Sequence, residues 1–199
     1  MGTLLAFERP RARTAALTLR ERVQAGLQVL AVLAVLALVP RLVARASGGS
    51  AGTLAQGSTA PNIGAAVLAN APVGQPDATR IDLASLRGRI VVLDFWATWC
   101  GPCNVTSPIL DAFAKAHAAD GVVVVGISQD NDPEDVASWL GRHKVSYVVA
   151  HDSNGTAGRA FSVSNLPTLV MLDREGNIRA RRVGVTQRGE LERLLAAVR

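Results

Sequence analysis

The only two cysteines of the 199-residue chain, Cys100 and Cys103, are separated by Gly101 and Pro102. Two thiols at this spacing at the start of a helix can be joined and separated by redox chemistry without a change of fold. Because no third cysteine is present, the pair cannot belong to a framework of structural disulfides. The pattern therefore predicts thiol–disulfide exchange, with the Cys100–Cys103 disulfide as the redox centre and no other cofactor.

A buried strand and a helix must position this pair. The run 90–96 (IVVLDFW) is apolar but for one acid, as expected of a strand buried on both faces. Apolar residues then follow a helical spacing over 102–119. The first cysteine, Cys100, is thereby placed at the N-terminus of a helix.

The two thiols are predicted to have different roles. Unpaired N–H groups and the positive end of the helix dipole stabilise a thiolate there, and such sites lower a thiol pKa from about 8.5 to about 7. We expect Cys100 to be the exposed nucleophile that attacks a substrate disulfide, and Cys103 to break the resulting mixed disulfide. Pro102 fixes the first turn, and Gly101 leaves the approach open. A zinc site is the alternative, but the sequence has no second Cys-x-x-Cys pair, so no metal is expected.

Strands and helices alternate along the rest of the chain from about residue 60. Beyond the elements above, the predicted strands are 122–127, 147–150, 168–172 and 178–185, and the predicted helices are 132–143, 155–161 and 186–198. This alternation, with a final hairpin and helix, predicts an α/β sheet with helices on both faces. The segment 62–80 indicates only an irregular or hairpin-like start of the domain.

Three segments carry a resemblance to a known family: IVVLDFWATWCGPC, GVVVVGISQDND and NLPTLVMLDREGNI. With these segments in this order, the region from about Ala60 to Arg199 resembles the thioredoxin superfamily, and within it the membrane-tethered TlpA/ResA-like thiol–disulfide oxidoreductases. The resemblance implies a thioredoxin fold, in which a central mixed β-sheet is flanked by helices on both faces. In this chain, one N-terminal hydrophobic helix would precede it.

Asp94 lies in the middle of the apolar strand, where burial must raise the pKa of its carboxyl group. The resemblance to thioredoxin implies that Asp94 accepts the proton of Cys103, directly or through water. The alternative is a carboxylate that makes only a local hydrogen bond. The sequence departs from its relatives at two positions. TlpA/ResA-like members often have Asn in place of Asp94, and Asn104 replaces a basic residue of thioredoxin, which removes some stabilisation of the thiolate.

The remaining site residues are placed around the dithiol by the resemblance. Pro167 would be a cis-proline, and Leu166 would offer backbone hydrogen bonds to the substrate. An ordinary proline at the start of a strand is the alternative. Trp99 would shape the contact surface, with Trp96 packed beneath it. The predicted catalytic residues are Cys100, Cys103 and Asp94, and the predicted substrate-binding residues are Trp99, Gly101, Pro102, Leu166 and Pro167.

The net charge of +5 comes entirely from the N-terminal segment. Residues 1–46 carry seven Arg and two Glu, whereas residues 47–199 carry 14 basic and 14 acidic side chains. A nucleic-acid partner therefore has no support, since the folded part has no net positive charge. The sequence divides into a basic segment (1–22), an apolar helix (23–39), a flexible linker (40–59) and the thioredoxin-like domain (60–199).

The apolar segment 23–39 predicts a membrane anchor. Its seventeen residues reach about 26 Å as a helix, near the lower limit for a bilayer. Five Arg precede it and two follow it, so the positive-inside rule places the N-terminus in the cytoplasm and the domain outside the cell membrane, in a single-pass topology. The alternative is a cleaved signal peptide, with 29–39 as its apolar region and 44–46 as the cleavage site, which would leave the domain periplasmic or secreted.

These features favour a reductase. The pair would be kept reduced by a membrane electron donor and would reduce exposed disulfides in exported client proteins. The resemblance to TlpA/ResA-like proteins implies clients of cytochrome c or copper-oxidase maturation. A disulfide-donating oxidase or isomerase is the alternative, although the Gly-Pro dipeptide favours the reducing side. A thiol peroxidase is not expected. Its site needs a Pro and a Thr or Ser at the positions that Leu93 and Ala97 occupy in this sequence. A non-enzymatic copper carrier is disfavoured as well, because carriers of this fold typically use a Cys-x-x-x-Cys spacing and this chain has Cys-x-x-Cys.

Overall fold

The computed structural model describes residues 55–72 and 75–199, and the single positions 20, 24 and 28. The predicted basic segment, the predicted apolar helix and most of the predicted linker lie outside the described residues apart from those three positions. No helix in the part of the chain that is described is long and apolar enough to cross a membrane. The described residues from 55 onward belong to one compact unit, Ala51–Arg199.

Six strands form one mixed sheet in the order β1-β4-β3-β2-β5-β6. The strands are β1 (Ala66–Ala69), β2 (Ile90–Trp96), β3 (Val122–Ser128), β4 (Val148–His151), β5 (Thr168–Leu172) and β6 (Ile178–Val183). β2 runs parallel to β3, and β3 runs parallel to β4. β1, β5 and β6 run antiparallel to their neighbours, so the predicted mixed sheet is confirmed.

Helices follow most of the strands. They are α1 (Gly101–His117), α2 (Pro133–Arg142), α3 (Thr156–Ala160) and α4 (Arg188–Val198), with 3-10 helices at Leu83–Leu86 and Ala118–Asp120. α2 begins where the sequence predicts, because the Asp132 side chain accepts a hydrogen bond from the Glu134 N–H group and a proline occupies the first turn. Beyond α1, Gly121 adopts a left-handed conformation (φ 78°), which allows the tight turn into β3.

The central strand β2 is buried along its whole length, which explains its continuous apolar sequence. Val92 and Trp96 belong to one core cluster, together with side chains of α1, α2 and α4. Leu93 and Phe95 belong to a second cluster on the opposite face, with side chains of α3 and of the 3-10 helix Leu83–Leu86. The prediction of helices on both faces is therefore confirmed.

The segment 62–80 contains a strand that the sequence did not reveal. β1 pairs with the edge of β4, with Val67 opposite Ala150. The Val67 N–H group also donates to the Thr79 carbonyl, and the Ile81 N–H group donates to the Ala65 carbonyl. The segment is thus hairpin-like, which is one of the two forms that the sequence indicated. The strand itself could not be recognised, because β1 has only four residues and its buried and exposed positions show no clear alternation.

Residues 57–60 are bonded to the domain, although the sequence predicted a flexible linker up to residue 59. The Gly57 N–H group donates to the Ile178 carbonyl, and the Ala60 N–H group donates to the Gly176 carbonyl. Backbone hydrogen bonds need no large side chains, so a segment rich in Gly and Ser can pair with a strand end. The bonded structure therefore begins a few residues before the predicted boundary.

Candidate active site

The dithiol lies in the first turn of α1, directly after the loop that leaves β2. Cys100 caps the helix: its sulfur accepts a hydrogen bond from the Cys103 N–H group at 3.3 Å. Gly101 and Pro102 form the first turn, where the missing N–H group of proline costs no hydrogen bond. Cys100 and Cys103 are joined in a disulfide. The placement of both cysteines at the N-terminus of a helix thus agrees with the sequence prediction.

The burial of the two cysteine residues differs from the expectation in degree. Cys100 is 6% exposed and Cys103 is 1% exposed, so Cys100 is the more accessible of the two but is not the open nucleophile that was predicted. The reason is packing, because both cysteines belong to the core cluster of Trp96. Trp99, by contrast, is 72% exposed beside the disulfide. An attacking sulfur must therefore reach a largely buried disulfide that directly follows an exposed tryptophan in the chain.

The loop before β5 contributes the predicted proline. The Leu166–Pro167 peptide bond is cis, as the resemblance implied. Leu166 packs against the cluster that contains both cysteines. The Pro167 carbonyl accepts a hydrogen bond from the Gly184 N–H group at 2.8 Å, which ties the loop to the end of β6. Leu166 also packs against the cluster on the opposite face of the sheet. The structure thus places Leu166 in contact with the cluster that holds the dithiol, and its bonding to a substrate stays a prediction.

Asp94 is a buried carboxyl group in the middle of β2. It lies on the strand face that it shares with Val92 and Trp96, which is the face covered by α1. Desolvation by burial raises its pKa from 3.8 to about 7. Among the described residues, its Oδ1 atom has no hydrogen-bond partner. A carboxyl group with this pKa can take or release a proton near neutral pH, and its transfer with Cys103 stays a prediction.

The comparisons with known proteins identify the family. Residues 55–198 match the family model described as Redoxin. The chain belongs to the redoxin family. This redoxin is 29% identical to the thiol-disulfide oxidoreductase ResA of Oceanobacillus iheyensis, over 51% of this chain and 53% of that protein. It is 33% identical to the thiol:disulfide interchange protein DsbE of Pseudomonas aeruginosa, over 57% of this chain and 62% of that protein.

A solved structure shows the same fold. A DsbE-type thiol:disulfide interchange protein from Chlorobium tepidum superposes with a TM-score of 0.65 and 28% identity, over 73% of this redoxin and 98% of that chain. The match to the two curated relatives spans only 53% and 62% of their own lengths. These similarities confirm the thioredoxin fold and the ResA-like resemblance, and the relatives named here are thiol–disulfide oxidoreductases, the class that the sequence predicts.

Asn104 is part of the site in a way that the sequence did not suggest. The sequence indicated only that a basic residue was missing here. In the structure, its amide Nδ2 donates to the carbonyl oxygens of Thr98 (3.3 Å) and Cys100 (3.4 Å). Its Oδ1 atom accepts a hydrogen bond from Trp139 Nε1 at 2.7 Å. Asn104 thus links the loop before the dithiol to α2, and only its position next to Cys103 could have signalled this role.

A second group of residues that the sequence did not reveal lies near Asp94. Gly126 pairs with Asp94 across β2 and β3. The Tyr147 hydroxyl lies 2.9 Å from the Ser107 hydroxyl of α1, and burial raises the pKa of Tyr147. Trp96 Nε1 has no hydrogen-bond partner among the described residues. The rings of Tyr147 and Trp96 both lie over Gly126, the partner of Asp94 on β3, and the charge of Asp94 contributes to the raised pKa of Tyr147.

Replacing Gly126 by alanine is expected to destabilise the redoxin by about 1–3 kcal/mol through overpacking. An added Cβ would lie 3.0 Å from Tyr147 Cε2 and 3.1 Å from Trp96 Nε1, and both rings are buried. Urea unfolding would measure the change. Gly141→Ala is the matched control, because its Cβ meets nothing within 4 Å and alanine favours the helix. Equal stability of the Gly126→Ala variant and the parent would contradict the packing described here.

Proposed function

We propose that this redoxin is an exported thiol–disulfide oxidoreductase that reduces disulfides in client proteins. The Cys100–Cys103 disulfide in the first turn of α1, beside the exposed indole of Trp99, is the observation that supports this most directly. A helix N-terminus stabilises the thiolate that attacks a disulfide. The exposed indole and the adjacent cis-proline loop provide a surface on which a client segment can lie.

The reaction proceeds in two balanced steps. The Cys100 thiolate attacks one sulfur of the client disulfide, which forms a mixed disulfide and releases the other client sulfur as a thiolate. The Cys103 thiolate then attacks the Cys100 sulfur, which restores the disulfide of the redoxin and releases the second client thiolate. Two electrons pass to the client, and Asp94 takes up the proton that Cys103 loses. A membrane electron donor returns the pair to the dithiol form.

The compartment and the clients belong to the same proposal. The basic segment 1–22 and the apolar segment 23–39 support a single-pass anchor with a cytoplasmic N-terminus and an extracytoplasmic domain. Cleavage after 44–46 would instead leave the domain in the periplasm or secreted. The ResA-like resemblance supports clients that carry the haem-binding cysteines of cytochrome c or the cysteines of copper-oxidase assembly proteins.

The equilibrium reduction potential of the Cys100–Cys103 pair tests the direction of electron flow. We expect a value near that of thioredoxin, about −270 mV, because Gly-Pro separates the cysteines. The full-length protein would be equilibrated with ratios of reduced and oxidised dithiothreitol, and the thiols would be counted after alkylation. A value near −120 mV, typical of a strong disulfide donor, would replace the reductase by the oxidase or isomerase alternative.

A further inference from the structure

A buried carboxylate lies behind the loop that leads to the dithiol. Asp130 lies two residues after the end of β3 and is 2% exposed. Its Oδ1 atom accepts a hydrogen bond from the Thr98 hydroxyl at 2.7 Å, and the Thr98 N–H group lies 3.2 and 3.1 Å from its two oxygens. The Ser128 hydroxyl donates to Oδ2 at 2.7 Å. The carboxylate is thus bonded to three neutral donors, two of them on a residue just before Cys100.

The backbone of Asp130 is hydrogen-bonded as well as its side chain. Its N–H group donates to the Ser128 hydroxyl at 3.1 Å, and Nε2 of the buried His151 donates to its carbonyl oxygen at 2.8 Å. None of the ion pairs formed within residues 55–72 and 75–199 involves Asp130. Hydrogen bonds therefore fix the carboxylate of Asp130, and none of those ion pairs gives it a cationic partner.

Thr98 is hydrogen-bonded both to Asp130 and to Asn104 of α1. Its carbonyl oxygen accepts from the Asn104 amide, and Cys100, two residues later, donates its N–H group to the Ala97 carbonyl at 3.2 Å. The short segment between β2 and α1 is therefore held between Asp130 and α1. Thr98 is therefore fixed two residues before Cys100, the N-cap residue of α1.

We propose that Asp130 is a positioning residue of the dithiol, which fixes Thr98 through hydrogen bonds and disfavours the Cys100 thiolate through its negative charge. A like charge close to an ionisable group disfavours the charged form of that group. A destabilised thiolate makes the reduced form less favourable, so the pair becomes a stronger reductant. The inference rests on thiol–disulfide chemistry at Cys100 but not on the direction of electron flow to the client.

Alkylation of Cys100 tests the proposal. Full-length protein carrying Cys103→Ser has Cys100 as its only thiol, and its rate of reaction with iodoacetamide follows the thiolate fraction across pH. Asp130→Asn keeps an oxygen acceptor of the same size for Thr98 but removes the charge. We expect the midpoint of its pH profile to fall. For a fall of one unit the rate below both midpoints rises about threefold, since tenfold more thiolate is partly offset by lower nucleophilicity.

Asp152→Asn is the matched control. Asp152 is 5% exposed, and its carboxylate accepts from the N–H groups of Ala157 (3.1 Å) and Gly158 (2.8 Å) in α3 rather than from the dithiol loop. Its midpoint is expected to equal that of the parent. An unchanged midpoint in Asp130→Asn, or an equal fall in Asp152→Asn, would overturn the proposal, whereas failure of the reductase assignment would leave this comparison unaffected.

A second variant keeps the inference testable if Asp130→Asn does not fold, which circular dichroism would reveal. Thr98→Val removes one hydrogen bond to Asp130 but leaves the carboxylate in place. We expect its midpoint not to fall below that of the parent, because the charge persists. A fall similar to that expected for Asp130→Asn would overturn the assigned role of the charge.

Discussion

Replacing Cys100 by serine is expected to abolish disulfide exchange, whereas replacing Cys103 by serine is expected to trap mixed disulfides with clients. A serine hydroxyl does not ionise near neutral pH, so Cys100→Ser has no nucleophile for the first step. Cys103→Ser keeps that nucleophile but lacks the thiol that breaks the mixed disulfide. Insulin reduction would measure turnover, and non-reducing electrophoresis with a disulfide-bonded substrate would detect the trapped adduct.

The double variant Cys100→Ser, Cys103→Ser provides the baseline for both measurements. Its turnover should equal that of Cys100→Ser, because removal of the nucleophile already stops the first step. Normal turnover by Cys103→Ser would show that the assigned roles of the two thiols are wrong.

Asp94→Asn is expected to make the protein more stable at pH 8 while slowing the second step of the reaction. In the folded protein, burial raises the pKa of Asp94 from 3.8 to about 7, whereas the carboxyl group of the unfolded chain ionises near its ordinary value. Between these two values the folded state binds the extra proton. Stability therefore falls as the pH rises from about 4 to about 7, by about 4 kcal/mol for a shift of this size.

The asparagine variant should lose most of this pH dependence, because its amide does not ionise. Guanidinium unfolding of both proteins at intervals from pH 4 to pH 8 would measure the difference. Asp173→Asn serves as control, since Asp173 is a buried acid in the turn between β5 and β6 whose Oδ1 atom accepts from the Asn177 N–H group at 2.7 Å. Parallel stability curves for the parent and Asp94→Asn would contradict the buried, protonated carboxyl group.

The same variant separates stability from catalysis. If Asp94 accepts the proton of Cys103, resolution of the mixed disulfide in the parent accelerates as the pH rises through about 7, because Asp94 becomes ionised. Asp94→Asn should resolve more slowly and lack this step in its pH profile. Rapid mixing with a disulfide-bonded peptide would measure the rate. An unchanged rate across neutral pH would remove Asp94 from the mechanism.

The central strands were the most predictable part of the fold. β5 has the predicted bounds, Thr168–Leu172, and β2 occupies the predicted run 90–96. Both strands are buried on two faces, so every position is apolar or enclosed. β6 ends at Val183 rather than at 185, because its alternate residues are exposed at the sheet edge and burial marks no clear end.

The cysteine pair could be located because its chemistry is local. Cys100 and Cys103 lie within one turn of helix, and their spacing is visible in the sequence. The supporting contacts are not local: Asn104 bonds to Trp139, 35 residues away, and Ser107 bonds to Tyr147, 40 residues away. No short pattern relates such residues, because their proximity arises only when the sheet and helices pack together.

The pairing of residues 57–60 places the N-terminal attachment of the domain and the dithiol near opposite ends of β2. These residues attach beside the turn between β5 and β6, and Leu172 at that turn lies opposite Val91, at the beginning of β2. The dithiol follows the other end of β2, and five residues of strand separate the two ends by about 17 Å. Immobilising the domain on an electrode through its N-terminal side would therefore leave the Cys100–Cys103 pair facing the solution.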